Sequence, residues 1–340
     1  MEGINIDRYL RHVILPEIGY QKQKELKNRK VLIVGLGALG SVISVYLAAF
    51  GVGYLRLIDF DRVSIFNLHR QVFYKQKDLS KKKAKVIKKY INEQNPEVFV
   101  DAIDQPLSYA NFQKIFKDID LVIDATDRLS RKFLINDVSK IYRIPFVFGS
   151  IYRFEGMAAL FWDSACLRCL FNERFDAPSC EDSGVFTPIS IAVSSIQLSL
   201  ALKFLLGIPF KKNTLFVFDF LYDSFFEYTI KPNKSCLCNN IESLKDSLFR
   251  IRDIEVKKVN KDLDIVFDLS NVPALKNNRD LKKLEEKVRS LANGKNRIVF
   301  KCRRGEKSLE YAKYFRNLGV NCFSLINGNE SGCIKSIGIE

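Results

Sequence analysis

Three glycines are the first residues in the chain whose spacing suggests chemistry. Gly35, Gly37 and Gly40 fit the pattern G-x-G-x-x-G, directly after the apolar run VLIV and before an apolar helical pattern. In such a turn the first glycine allows a tight bend, the second lets a phosphate approach the backbone, and the third lets helix and strand pack closely. The helix N-terminus adds amide hydrogens and a positive dipole end. The pattern predicts a phosphate-binding turn and leaves both NAD and ATP open.

Polar residues beyond the next strand favour ATP. Asp59 ends that strand, where a carboxylate can accept hydrogen bonds from a ribose. The chain then runs DFDRVSIFNLHRQ from Asp59 to Gln71, Lys83 begins a helix, and DATD closes a later strand at Asp124–Asp127. An arginine and a lysine facing a polyphosphate, with an aspartate to hold a metal ion, are typical of nucleotidyl or phosphoryl transfer. An NAD oxidoreductase has no need of this group.

Four of the eight cysteines stand in two close pairs. Cys166 and Cys169 form C-x-x-C, whereas Cys236 and Cys238 form C-x-C, which has a tighter bite. Four thiolates in two pairs suit a tetrahedral structural zinc ion. The alternatives are a redox-active C-x-x-C and four free thiols.

Two more cysteines occupy positions suited to nucleophilic chemistry. Cys180 lies in the polar segment APSCEDSGVFTP, which leads into a long apolar helix. Cys302 closes the strand pattern RIVFKC, just before the loop RRGEK and the helix pattern SLEYAKYF. A helix N-terminus and the cations Arg303, Arg304 and Lys307 would stabilise a thiolate or a persulfide there. The alternative for Cys302 is a buried, inert thiol.

The elements that must position these residues alternate along the chain. Between residues 30 and 150, strand patterns such as YLRLIDFD and DLVIDATD alternate with helix patterns such as KKAKVIKKYINEQNP. Repeated strand–helix units predict an α/β fold with a Rossmann-like, doubly wound, mainly parallel sheet. The pattern restarts after residue 240, which predicts one domain over 1–240 and a small C-terminal α/β domain over 241–340. Asn- and Lys-rich sequence at 231–262 indicates a linker.

Composition limits the class of protein. The chain has 340 residues, of which 47% are hydrophobic, enough for one large core and a small one. Its first residues, MEGINIDRYLRH, are charged and show no secretory signal, so we expect a cytoplasmic protein with reduced cysteines. The most apolar segment, 188–208, contains serines, a glutamine and a lysine, which favours a buried helix over a membrane span.

The net charge of +15 comes largely from lysines, for example in residues 75–90. A solvated helix face is the favoured interpretation, and attraction of an acidic protein or RNA is the alternative. Aromatic residues do not interleave with these lysines, so nucleic-acid binding is not expected.

Together these motifs resemble the MoeB/ThiF adenylyltransferases, bacterial relatives of the ubiquitin-activating enzymes. The resemblance covers about residues 5–240 and rests on RYLRHVIL, GLGALG, DFDRVSIFNLHRQ, LVIDATD, CLRC and SCEDSGVFTP. It implies ATP as the nucleotide, with Asp59 on the ribose and Asp127 on Mg²⁺. The nucleotide-binding residues implied in this way are Gly35, Gly37, Gly40, Asp59, Asp61, Asn67, Arg70, Gln71, Lys83 and Asp127. Arg128 stands where the family usually has Asn.

The resemblance also implies a reaction. The C-terminal glycine carboxylate of a ubiquitin-like sulfur-carrier protein attacks the α-phosphorus of ATP, and an acyl-adenylate and pyrophosphate form. Arg11 matches an arginine that a homodimer inserts into the partner's ATP site, where it would act with Arg70, Lys83 and Mg²⁺. Cys180 matches a cysteine with which some members attack the acyl-adenylate, while other members manage without it.

Residues from about 245 to 340 resemble rhodanese-like sulfurtransferases, because CRRGEKS at 302–308 is similar to their active loop. The usual Arg is absent after Asp268, and NGN replaces a GG near the end. An abbreviated domain of this kind would carry sulfane sulfur on Cys302. That sulfur would replace AMP on the activated carrier and leave a thiocarboxylate. A cysteine desulfurase would be a suitable sulfur donor.

Molybdopterin synthesis, thiamine synthesis and tRNA thiolation all use such carriers; the resemblances favour molybdopterin biosynthesis, with thiamine biosynthesis next. The alternatives are an ATP-dependent tRNA-modifying cyclase of the same superfamily, an NAD-binding oxidoreductase, and a scaffold in which either site has decayed.

Overall fold

The computed structural model describes residues 6–171, 184–252, 255–256, 264–269, 278–292, 297–302, 306–325 and 336–337. The chain divides into two compact units. The first consists of Met1–Leu107 and Gln113–Leu244, and the second of Ser108–Phe112 and Lys245–Glu340.

An eight-stranded sheet organises the first unit. Its strands are β1 (Lys30–Val34), β2 (Tyr54–Ile58), β3 (Phe99–Ile103), β4 (Leu121–Asp124), β5 (Phe146–Tyr152), β6 (Glu155–Phe161), β7 (Thr214–Asp219) and β8 (Ser224–Thr229). They lie in the order β3-β2-β1-β4-β5-β6-β7-β8. Along this order, neighbouring strands from β3 through β2, β1 and β4 to β5 are parallel. From β5 through β6 and β7 to β8, neighbouring strands are antiparallel. The predicted doubly wound, mainly parallel α/β fold is confirmed.

The helices up to residue 252 are α1 (Ile6–Val13), α2 (Gly19–Leu26), α3 (Gly40–Phe50), α4 (Lys83–Gln94), α5 (Phe112–Ile115), α6 (Leu129–Tyr142), α7 (Leu167–Leu170), α8 (Thr187–Leu205) and α9 (Ile241–Arg252). Short 3₁₀ helices occur at Ile65–Asn67, Gln76–Asp78 and Leu237–Asn239. Local backbone conformation and hydrogen bonds determine where several of these helices end. For example, Gly51 adopts φ +90° at the C-cap of α3, where its N–H bonds the last carbonyls.

Strand register determines where the functional segments meet. On one side of β1, Val34 is paired with Ile58 of β2, and on the other side with Asp124 of β4. All three strands therefore end at the same edge of the sheet. The segments directly after them are the glycine turn, the Asp59 segment and DATD, so they lie together there.

Helix α8 packs against β4, β5, β6 and α3. Contact with the sheet is close, because a Cβ at Gly149 would lie 2.3 Å from Gln197 and one at Gly156 would lie 2.4 Å from Val193. By length and hydropathy alone the helix could cross a membrane, but the core helices of other proteins meet the same criteria. Half of this stretch is buried inside the protein. The packing agrees with the predicted buried helix.

The second unit contains a five-stranded parallel sheet in the order β13-β10-β11-β12-β9. Its strands are β9 (Glu255–Val256), β10 (Asp264–Asp268), β11 (Arg297–Lys301), β12 (Cys322–Leu325) and β13 (Ser336–Ile337). Its remaining helices are α10 (Asn278–Leu291) and α11 (Glu306–Asn317). Phe267, Phe300 and Phe315 are fully buried in its core.

The prediction of a linker over 231–262 is wrong for residues 241–252, which form α9. Leu244 and Leu248 are four residues apart and both buried, so they lie on one apolar face of this amphipathic segment. The abundance of Asn and Lys hid that short pattern.

The glycine turn gives the first testable prediction. Gly35 has φ +89°, and a Cβ there would lie 2.7 Å from the carbonyl oxygen of Ala125. We predict that Gly35→Ala lowers the free energy of unfolding by about 2–5 kcal/mol, from left-handed strain plus overpacking. Gly19 is the matched control: its φ is +63° and no atom lies within 4 Å of a Cβ, so Gly19→Ala adds strain alone. Urea unfolding monitored by circular dichroism compares the two, and equal losses would contradict the close approach.

Candidate functional site

The glycine turn joins the end of β1 to the start of α3. The Gly35 N–H donates to the Ile58 carbonyl at 2.9 Å, and the Ala125 N–H donates to the Val34 carbonyl at 2.9 Å. A Cβ at Gly40 would lie 1.9 Å from the Gly35 carbonyl oxygen, so only glycine lets α3 begin this close to the strand. The N-terminus of α3 is thereby fixed at the sheet edge, as phosphate binding requires.

Asp59 fixes the backbone around this turn. One of its carboxylate oxygens accepts the Leu36 N–H at 2.6 Å, and the other accepts the Asp61 N–H at 2.7 Å. Burial raises the pKa of Asp59, and the positive charge of Lys83 works against that rise. A carboxylate has about four acceptor positions, so Asp59 retains the capacity to accept a ribose hydroxyl.

Lys83 brings a buried positive charge to the same edge. Its side chain is 4% exposed, and its ammonium lies 3.2 Å from a carboxylate oxygen of Asp61, which is half exposed. The Lys83 backbone N–H also donates to the Asp61 carbonyl at 3.1 Å. Asp61 therefore anchors both the start of α4 and the cation that the sequence assigns to phosphate.

Asn67, Arg70 and Gln71 lie at the end of the 3₁₀ helix Ile65–Asn67 and in the loop after it. The Arg70 guanidinium donates to the Asn67 side-chain oxygen at 2.9 Å. Gln71 is buried, and its amide nitrogen lies 3.6 Å from where a Cβ of Gly37 would stand. In the described part of the chain, the Gln71 side-chain oxygen has no hydrogen-bond partner. An unpaired buried amide beside the second glycine is consistent with a site built for a polar ligand.

The other two predicted residues differ in placement. Asp127 is exposed just beyond β4, next to this group, where its carboxylate can reach a metal ion. Arg11 is exposed on α1, and among the described residues its side chain forms no hydrogen bond or ion pair with the group. The single chain thus connects Asp59, Asp61, Gln71 and Lys83 with the glycine turn, and it joins Arg70 to Asn67.

Sequence reasoning missed residues that support this edge from behind. Tyr74 donates its hydroxyl to the Leu36 carbonyl at 2.7 Å, and burial raises the pKa of Tyr74 well above its ordinary value. Lys132 forms a buried ion pair with Asp124 at 2.8 Å. A lysine inside a helical pattern gives no sign that it is buried, so the sequence contained no signal for that pair.

The two cysteine pairs come together in the first unit. Cys166 Sγ lies 3.8 Å from Cys169 Sγ and 3.7 Å from Cys236 Sγ, and Cys169 Sγ lies 3.7 Å from Cys238 Sγ. All four sulfurs lie within 4.8 Å of one another. With metal–sulfur bonds of about 2.3 Å, a tetrahedron has edges of about 3.8 Å. The cluster therefore has the size to bind one metal ion.

The surroundings of the cluster favour bound thiolates. Backbone N–H groups of Asn233 and Cys238 donate to the sulfurs of Cys169 and Cys236, both at 3.5 Å. Burial, followed by the charges of Cys169 and Cys236, raises the pKa of Cys166 to about 12. A cation is therefore needed to hold four thiolates so close together.

The C-x-x-C pair is held in place by an ion pair that the sequence did not reveal. Arg168, inside the motif, donates to both carboxylate oxygens of Asp137, each at 2.6 Å. The Leu167 N–H donates to the Asn136 side-chain oxygen at 2.8 Å. These bonds attach α7 to α6 and set the direction of the two sulfurs.

Cys302 lies in the second unit, directly after β11 and close to the start of α11. It is 5% exposed, and its sulfur accepts the Ser308 N–H at 3.4 Å. The Ser308 hydroxyl is in turn 2.9 Å from that of Ser324. The sulfur therefore lies beside the first turn of α11, in a buried position, and its reactivity stays a prediction. Cys180, Arg303 and Arg304 lie outside the described residues.

Residues 9–240 match the ThiF family, which is more than half of the chain. The chain belongs to the ThiF family. A sulfur carrier protein adenylyltransferase of Thermus thermophilus is 39% identical over 243 residues, covering 68% of this chain and 89% of that relative. MoeZ of Mycobacterium tuberculosis, a probable adenylyltransferase/sulfurtransferase, is 38% identical over 240 residues, covering 68% of this chain and 61% of MoeZ.

A solved structure shares the fold of this ThiF-family chain. The crystal structure of E. coli MccB with ATP has a TM-score of 0.61 and 23% identity, and it covers 69% of this chain and 75% of MccB. The predicted kinship with the MoeB/ThiF adenylyltransferases is confirmed. The family match ends at residue 240, so the rhodanese-like nature of the second unit stays a prediction.

Proposed function

We propose that this ThiF-family enzyme adenylylates the C-terminal glycine carboxylate of a ubiquitin-like sulfur-carrier protein. The observation that carries the proposal is the convergence of the glycine turn, Asp59, Gln71 and Lys83 at one sheet edge. The name of the Thermus relative, a sulfur carrier protein adenylyltransferase, supports the substrate class. Molybdopterin or thiamine biosynthesis in the cytoplasm is the setting we propose.

In the proposed reaction a carboxylate oxygen of the carrier attacks the α-phosphorus of ATP. The bond from the α-phosphorus to the bridging oxygen breaks, and pyrophosphate leaves with its electron pair. No general base is needed, because the nucleophile is already ionised at neutral pH. Arg70 and Lys83 would neutralise phosphate charge, so catalysis depends on positioning and electrostatics.

Mg²⁺ fits the exposed carboxylate of Asp127, since hard cations prefer oxygen ligands. When bound, the ion would neutralise phosphate charge and favour departure of pyrophosphate.

We propose that the second unit carries out the sulfur-transfer step. A persulfide on Cys302, loaded by a donor such as a cysteine desulfurase, would attack the acyl-adenylate carbonyl and displace AMP. A second thiol then attacks the Cys302 sulfur of the resulting acyl disulfide, so the thiocarboxylate leaves on the carrier and a disulfide forms between Cys302 and that thiol. A further thiol reduces this disulfide and restores Cys302. Support comes from the placement of Cys302 before α11 and from the name adenylyltransferase/sulfurtransferase that MoeZ bears.

The adenylylation step predicts carrier-dependent ATP–pyrophosphate exchange. Among the small carriers ending in Gly-Gly from the same genome, one should raise exchange above background, and Lys83→Met should lower it about 10²-fold or more because a phosphate cation is lost. Lys85 is the matched control, an exposed lysine on the same helix, and Lys85→Met should leave exchange unchanged. Background exchange with every carrier would contradict the proposal, and tRNA-dependent ATP consumption would favour the cyclase instead.

We further propose that the chain acts as a homodimer in which Arg11 enters the partner's ATP site. Around Arg11, the apolar side chains of Leu10, Ile14 and Leu15 are 45%, 59% and 45% exposed. Apolar groups clustered on a surface are typical of protein interfaces. Among the described residues, Arg11 forms no hydrogen bond or ion pair with the nucleotide residues of its own chain, which supports a role toward a second copy.

Subunit mixing tests the dimer. Arg11→Ala and Lys83→Met should each be inactive alone, because every site then lacks one cation. Mixed in equal amounts, they should regain about a quarter of the parent activity, since half of the dimers then contain one intact site of two. Absence of recovery, with mixed dimers demonstrated by mass spectrometry, would contradict the exchange of Arg11 between subunits.

We propose zinc as the ion of the four-cysteine cluster, because four thiolates in a closed tetrahedron are its structural ligand set. The purified chain should contain about one zinc per chain by elemental mass spectrometry. Cys169→Ser should lower that content several-fold and reduce the melting temperature, because structural zinc contributes folding energy. Cys302→Ser is the control and should retain the metal. Equal zinc content in both variants would contradict the assignment.

A further inference from the structure

Lys132 is a buried cation that no substrate can reach. Its side chain on α6 is 4% exposed. Its ammonium donates to Asp124 Oδ2 at 2.8 Å, to the Thr126 carbonyl at 2.6 Å and to the Gly149 carbonyl at 2.6 Å. An ammonium has three donors, so all of them are used inside the protein. Whatever Lys132 does for the reaction, it does through these three partners.

The partners lie at the end of β4, just beyond it, and in the middle of the neighbouring strand β5. Asp124 closes β4, Thr126 comes two residues later, and Gly149 lies on β5. The other carboxylate oxygen of Asp124 accepts both the N–H and the hydroxyl of Thr126, at 2.9 and 2.6 Å. From α8, the Gln197 side chain donates to the Asp124 carbonyl at 2.8 Å. Lys132 is thus the centre of a network that fixes the path of the chain from Asp124 to Thr126.

That path forms the wall on which the glycine turn packs. A Cβ at Gly35 would lie 2.7 Å from the Ala125 carbonyl oxygen, and one at Gly40 would lie 3.0 Å from the Ala125 Cβ. Asp127, the carboxylate assigned to the metal ion, comes directly after Thr126. A small shift of Thr126 would therefore displace both the glycine turn and Asp127.

Stability alone does not explain why these buried groups are charged. Removing two opposite charges from water costs free energy, and replacing a buried ion pair with neutral side chains of similar volume is often neutral or stabilising. Burial raises the pKa of Asp124, whereas the Lys132 ammonium and the hydrogen bonds from Thr126 act in the opposite direction. A neutral pair would satisfy the packing but would release the Thr126 and Gly149 carbonyls.

We propose that Lys132 is a positioning residue of the nucleotide site, which sets the glycine turn and Asp127 in register through Thr126 and Gly149. The inference rests on the proposed function where it is tested by activity. Binding of an ATP analogue tests it independently, because that measurement needs no carrier.

The test compares Lys132→Met with the double variant Asp124→Asn/Lys132→Met. The single variant leaves a carboxylate buried without its cation, so its melting temperature should fall. The double variant removes both charges and should regain most of that loss. Its affinity for a fluorescent ATP analogue should nevertheless stay at least about tenfold below the parent, and kcat for exchange should fall about 10²-fold, because misplaced groups lose catalysis steeply.

Two further variants complete the experiment. Lys132→Arg keeps a cation and several donors, and it should recover ATP affinity to within about tenfold of the parent. Lys140→Met is the matched control, since this lysine of α6 donates instead to the Asp163 carbonyl at 2.7 Å, and ATP affinity should not change. A double variant with parental affinity and kcat would overturn the inference and show that Lys132 only neutralises Asp124. A parent chain that binds ATP but activates no carrier would overturn the proposed function and leave the positioning role standing.

Discussion

The nucleotide edge depends on one close approach, between the glycine turn after β1 and the chain segment after β4. The Ala125 N–H donates to the Val34 carbonyl of β1, and the Ala125 carbonyl oxygen leaves no room for a side chain at Gly35. The other features of the edge depend on this contact. Asp59 holds the turn from the side of β2, and Tyr74 and Lys132 hold the two segments from behind. The shape of the glycine turn is therefore determined by its neighbours together with its own glycines.

Much of this arrangement was predictable because it depends on local patterns. Apolar runs bounded by glycine and aspartate indicated the strands, and the spacing of Gly35, Gly37 and Gly40 indicated the turn. Parallel strands bring their downstream segments to one edge of the sheet, which explains why the glycine turn, Asp59 and the DATD segment lie together. The role of Asp127 toward Mg²⁺ came from the resemblance to the MoeB/ThiF adenylyltransferases. The two cysteine pairs were recognisable because metal ligands come in short, close spacings.

The features that the sequence did not reveal depend on contacts between distant residues. Nothing near Lys132 in the sequence marks it as buried, and its partner Gly149 lies on another strand. The Arg168–Asp137 pair that orients the C-x-x-C motif joins two helices in the same way. Helix α9 was missed because the Asn- and Lys-rich sequence around it obscured the helical spacing of Leu244 and Leu248, which are both buried. Polar residues that support a site from behind have no periodicity of their own, so the folded chain is needed to find them.

If the nucleotide edge serves to activate a carboxylate, the mass of the carrier shows it most directly. Incubated with this enzyme, ATP and Mg²⁺, and trapped at low temperature, a carrier ending in Gly-Gly should gain the mass of one AMP group at its C-terminal glycine. With Lys83→Met in place of the parent, the carrier should keep its original mass. An unmodified carrier under conditions in which the parent chain demonstrably binds ATP would contradict the account.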